Sequence, residues 1–138
     1  MDWVLLVGRI GFAYLFVSSG LTVHLLQRAQ GIEYARMNRV PAPEFLVPFS
    51  GLMAIAGGLS IALGVWADLG ALLLVLFLVP VAFGMHGFWK YEDPMQRMME
   101  RIHFTKDMTL AAGSLCLFAL FQQFGDEIGL MLTGPLFD

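Results

Sequence analysis

Four long apolar stretches carry most of the chain, and short polar segments separate them. The first runs from Trp3 to Leu26, the second from Phe45 to Trp66 and the third from Leu69 to Trp89. The fourth runs from about Ile102 to Phe124 and is polar in its first turn and a half. A helix needs roughly 20 mostly apolar residues to cross the hydrocarbon of a bilayer, and each stretch is that long. A helix also satisfies its own backbone hydrogen bonds, the condition for an open-ended segment to lie in lipid. The pattern predicts an all-α integral membrane four-helix bundle, one transmembrane domain over residues 1–138 with spans at about 3–26, 45–66, 69–89 and 102–124. The second and third stretches are apolar on every face, which a small water-soluble bundle does not tolerate.

Composition strengthens that reading. Hydrophobic residues make up 58% of the chain and charged residues 14%, whereas soluble domains hold about 45–50% and about 25%. The formal charge of −3 gives no sign of a nucleic-acid partner. Cys116 is the single cysteine, so no intrachain disulfide and no CxxC motif exists, and its apolar setting marks it as a small hydrophobe. The first stretch is expected to be a span and not a cleaved leader. Asp2 stands where a leader has basic residues, and no small-x-small site follows the apolar core.

The charges orient the bundle. Arg28, Arg36 and Arg39 follow the first stretch, and Lys90, Arg97, Arg101 and Lys106 follow the third; together they are seven of the eight basic residues. The positive-inside rule places both segments in the cytoplasm, with the N and C termini and the Asp68 turn outside. The turn at Ala67–Asp68 is so short that the second and third helices must be antiparallel neighbours. Ser50, Ala54, Gly58 and Ala62 recur at steps of four and permit close helix approach, within this bundle in preference to a dimer. Pro80 predicts a kink in the third helix.

The connecting segments have signals of their own. Ile32 to Asn38 fits a short interfacial helix, and Pro41-Ala42-Pro43 stops one element and launches the next. Asp93 can cap a helix whose first position is Pro94. Met95, Met98, Met99 and Ile102 then share one face, and Gln96, Arg97, Glu100 and Arg101 take the other. This predicts an amphipathic interfacial helix running into helix four, its methionines toward the membrane.

Ionisable groups at membrane depth are costly and normally turn inward. The candidates are Arg9, His24, His86, His103, Lys106 and Asp107. His24, His86 and the group His103, Lys106 and Asp107 fall at one depth, toward the inner leaflet. His86, Lys106 and Asp107 are therefore expected to form one cluster, with Lys106–Asp107 as a structural ion pair. Arg9 lies about two turns into its helix, on the order of 9 Å. It is expected to meet an acid, a carbonyl or a ligand oxygen, with Asp68, Asp126 and Glu127 the nearest acids besides Asp2. A haem held by His24 and His86 is the less favoured reading, since histidines at span ends more often hydrogen-bond at the interface. No metal site is expected, because zinc or copper needs three or four convergent ligands and the cysteine lies elsewhere.

Several motifs together resemble the DoxX family: GRIGFAYLFVSSGL, AGGLSIALGV, VPAP, HGFW with DP seven residues after its histidine, and FTKDMTLAAG. The likeness runs from about Val7 to Leu120. It implies a small four-helix protein of the bacterial inner (cytoplasmic) membrane linked to redox chemistry, similar to the membrane subunit of thiosulfate:quinone oxidoreductase. Arg9, Gly20, Gly57, Gly58, Gly64, His86 and Lys106 match the family pattern. Ala54 stands where relatives often carry an acid, Asp107 where an asparagine is usual, and His24 in the region of a common lysine. The resemblance implies a quinone-associated redox subunit, with the lipid bilayer and other membrane subunits as partners. The alternative is a non-catalytic subunit docking on a larger respiratory or photosynthetic complex. Whether the chain is an enzyme is left open. Ile128, Leu130, Met131, Leu132, Leu136 and Phe137 make the tail too apolar to be free, so it is expected on a membrane surface or a partner.

The charge bias sets a topology that labelling can test. In a Cys116→Ser background, an impermeant thiol reagent added outside should modify Glu127→Cys and leave Arg97→Cys untouched. The reverse pattern would refute the orientation.

Overall fold

The computed structural model describes residues 1–137, and they are helical with no strand among them. Helix α1 covers Asp2–Ser19 and continues as a π-helical segment, Gly20–Leu26. Helix α2 covers Arg28–Met37, α3 covers Pro43–Leu63 and α4 covers Ala67–Met85. After a 3-10 turn at Phe88–Lys90, α5 runs from Pro94 to Phe124. Four segments are long and apolar enough to cross a membrane: Asp2–Leu26, Pro43–Leu63, Ala67–Lys90 and Pro94–Phe124.

Local signals explain the boundaries. Asp93 Oδ2 accepts from the Gln96 backbone N–H at 2.8 Å, and Pro94 occupies the first helical turn. No break separates the amphipathic stretch from the fourth span, so α5 is one helix of 31 residues. Gly64 ends α3 at φ +68, a left-handed value that glycine adopts without cost. Leu52, Leu59, Leu76 and Leu115 point outward and Phe16, Ile61, Leu74 and Phe121 inward, as expected when lipid is the solvent.

Small residues set the helix spacing. A Cβ on Gly57 would lie 2.8 Å from Leu74 Cδ2 and 2.9 Å from the Gly70 carbonyl oxygen, so α3 and α4 meet backbone to backbone. A Cβ on Gly58 would lie 3.2 Å from the Ala13 carbonyl oxygen, which fixes α3 against α1. Ala54 is fully buried. The small positions of α3 thus serve contacts inside this bundle.

The C-terminal tail folds back over the end that carries the α3–α4 turn. The backbone N–H groups of Leu132 and Thr133 donate to the Gly64 carbonyl, each at 3.0 Å. Asp68 lies buried there and accepts from the N–H groups of Leu136 and Phe137, both at 2.9 Å, and from Gln122 Nε2 at 2.7 Å. The tail is seated on its own bundle, with Leu130, Leu132 and Leu136 still exposed on it. Arg9 also turns inward, only 3% exposed. Its Nη2 donates to the Leu130 carbonyl at 2.6 Å and its Nη1 meets Met131 Sδ. Among the described residues no acid pairs with it, and Asp68 is engaged by tail N–H groups.

Candidate functional site

At the opposite end, the corner between α4 and α5 gathers the remaining ionisable groups. His86 follows the last residue of α4 and keeps its N–H on the Ala82 carbonyl at 3.2 Å. The 3-10 turn and the Asp93 cap then return the chain, so α5 packs beside α4. Along α5, Glu100, His103 and Asp107 stand at i, i+3 and i+7 and share one face.

That face meets His86. His86 Nδ1 lies 2.8 Å from Glu100 Oε2, and His86 Nε2 lies 3.7 Å from Asp107 Oδ2. The His103 ring stacks on His86 with centroids 5.0 Å apart. Lys106 Nζ is 3.5 Å from Asp107 Oδ1 and remains half exposed. The expected neighbours His86, Lys106 and Asp107 are thus adjacent, and His103 joins them.

Two further members have no counterpart in the sequence reading. Glu100, placed there on the polar face with Arg97 and Arg101, is instead buried at 7% exposure. The Tyr34 hydroxyl, on α2, donates to Glu100 Oε1. Both carboxylate oxygens are therefore answered, which offsets much of the cost of burying the charge. The spacing Glu-x-x-His-x-x-x-Asp over 100–107 was the available signal for Glu100. For Tyr34 no local signal existed. A further link braces α2: Tyr91 Oη donates to Asn38 Oδ1 at 2.9 Å. Burial pushes the Tyr34 hydroxyl above its ordinary value of 10.0, and the hydrogen bond to Glu100 raises it further.

The cluster borders a cavity of about 790 Å³ between the helices. His86, His103, Lys106 and Asp107 line its polar end, and Phe77 and Leu110 are among its apolar walls. The volume lies in the range of small-molecule sites, roughly 300–1,000 Å³. His24 also lines it, but on its own anchor: its Nδ1 lies 3.1 Å from the Val47 carbonyl oxygen and 3.0 Å from Ser50 Oγ. Arg9 belongs to the other end, with the tail. Among the described residues no group of three or more His, Cys, Asp or Glu side chains is arranged to hold a metal ion.

An apolar cavity between spanning helices, lined at one end by His86, His103, Lys106 and Asp107, marks an integral membrane bundle with a candidate site between its helices. The chain belongs to the DoxX family, whose model matches residues 4–87. The matched stretch ends just past His86, so the α5 half of the cluster lies beyond it. Comparisons with curated proteins and with solved structures find no match.

The Tyr34 hydroxyl supplies a pH test. Its proton is held more tightly in the folded chain than in the unfolded one. The stability this gives is complete below pH 10 and is lost as pH rises above 10 toward the folded value. Thermal unfolding in detergent should therefore fall more steeply above pH 10 in the parent than in Tyr34→Phe. Equal slopes would remove Tyr34 from the buried cluster.

Proposed function

We propose that the protein is a quinone-binding, redox-linked subunit of a bacterial inner-membrane complex, with both termini outside. The observation that carries the reading is the open pair at the cavity's polar end. His86 Nε2 and Asp107 Oδ2 stand 3.7 Å apart, beyond hydrogen-bond distance, and both residues line the cavity. A donor and an acceptor that do not close on each other can both take a ligand oxygen. The apolar walls suit a hydrophobic ring and the start of its tail.

The side chains divide the work. Glu100 Oε2 holds His86 Nδ1 and fixes the ring plane, as a carboxylate does for an imidazole in many sites. With Nδ1–H given to Glu100, His86 Nε2 donates to the ligand oxygen in the imidazolium form, which Glu100 and Asp107 flank. Asp107 accepts from a ligand hydroxyl or takes its proton, and the half-exposed Lys106 offers a route for charge balance toward water. In this reading electrons come from neighbouring subunits. The docking alternative draws support from Leu132, which is 70% exposed on the folded-back tail.

Protein purified in detergent should carry quinone into a solvent extract or bind an added short-chain quinone, quenching tryptophan fluorescence. His86→Ala should weaken that binding about tenfold, the scale of one good hydrogen bond. His86→Gln should keep the fold and recover part of the affinity. A protein that yields no quinone, binds none and copurifies with a large complex would instead establish the docking role.

A further inference from the structure

The first spanning segment does not end as an α-helix. Its last seven residues, Gly20–Leu26, wind as a π-helix. Such turns are rare and are frequently found at functional sites. The residue near its centre is His24. Opposite it α3 is cut away, since a Cβ on Gly51 would run into the Cβ of His24. Winding and cut-out together seat one imidazole against α3.

The hydrogen bonds then fix its tautomer. Ser50 Oγ donates its single hydrogen to the Val47 carbonyl at 2.8 Å. Both groups therefore present oxygen lone pairs to His24 Nδ1, which lies 3.0 Å from one and 3.1 Å from the other. Nδ1 must carry a hydrogen. In the neutral ring Nε2 then carries the lone pair. Among the described residues Nε2 has no hydrogen-bond partner, although His24 lines the cavity that His86 and Asp107 close.

We propose that His24 is the second anchor of the cavity's ligand, accepting a hydroxyl hydrogen bond at Nε2, and that the site thereby prefers a 1,4-dihydroxyaromatic (quinol) over the matching quinone. The inference rests on the quinone reading above. A quinone offers only acceptor oxygens, and one of them against the Nε2 lone pair would leave two acceptors facing each other. A quinol has two hydroxyls. One donates to His24 Nε2. The other donates to Asp107 while its oxygen accepts from His86 Nε2. The cavity is thus polarised, with an acceptor at its α1–α3 wall and a donor–acceptor pair at the α4–α5 corner.

Two measurements test this. Nitrogen-15 NMR of histidine-labelled protein in detergent, without ligand, should show His24 protonated at Nδ1 and bare at Nε2. The opposite tautomer overturns the proposal whatever the protein binds. Binding of a decyl-substituted benzoquinone and of its hydroquinone is then compared. The parent should favour the hydroquinone by about tenfold, the difference between a made and an unmade hydrogen bond at a buried acceptor. His24→Phe should erase the preference while still binding the quinone, and His24→Gln, whose amide offers an oxygen, should restore part of it. Equal affinity of the parent for both forms, or a preference that survives His24→Phe, overturns the role of His24 and leaves the quinone reading standing. If the parent binds neither form, both fall together.

Discussion

An ionisable side chain inside a bilayer has no water to turn to, and the arrangement of this bundle depends on answering each one from within the chain. Leaving an arginine, lysine or aspartate unanswered at mid-membrane costs roughly 2.5–3.5 kcal/mol on insertion scales. Against a net stability of about 5–15 kcal/mol for a typical domain, one such group is a large fraction. The two ends meet the demand differently. At one, Arg9 and Asp68 are answered by the backbone of the C-terminal tail, which lies against the bundle as a result. At the other, His86, Glu100 and Tyr34 answer one another, with Asp107 and Lys106 alongside.

That difference separates scaffold from site. The tail end is the tighter of the two: Asp68 has three donors and Arg9 is sealed from the surface, its Nε alone without a partner among the described residues. The His86 end is not closed, because the imidazole and Asp107 stop short of each other beside the cavity. Close helix packing through Gly57, Gly58 and Gly51 draws the walls together and leaves room for His24 to be seated by its π-helical turn. Rigid contacts on one side of the bundle thus position a polar interior on the other.

The spans, the Asp93 cap and the inward turn of Arg9 were legible because they depend on local pattern: apolar length, turn chemistry and the cost of charge in lipid. His86, His103, Lys106 and Asp107 could be placed together because antiparallel helices return to one depth. Glu100 was misread for a physical reason. A methionine stripe defines the lipid face of α5, and everything opposite it looks solvated, yet part of that opposite face packs on the α4 corner. Tyr34 sits among Arg28, Glu33 and Arg36 in a segment that reads as surface, and only tertiary contact brings it to Glu100. The tail's destination depended on Asp68, whose partners lie some 68 residues away. The π-helical winding at His24 has no local signature, since it is fixed by the seat that Gly51, Val47 and Ser50 provide.

The His86–Glu100 bond organises the corner on which the site is built. A double-mutant cycle measures it directly, with His86→Ala, Glu100→Ala and the double variant unfolded in detergent micelles. For a charge-assisted bond in a buried setting, the coupling should be about 1.5–3 kcal/mol, so the double variant loses clearly less than the sum of the two single losses. Single effects that simply add, with coupling near zero, would show that the two residues act independently and would contradict the account.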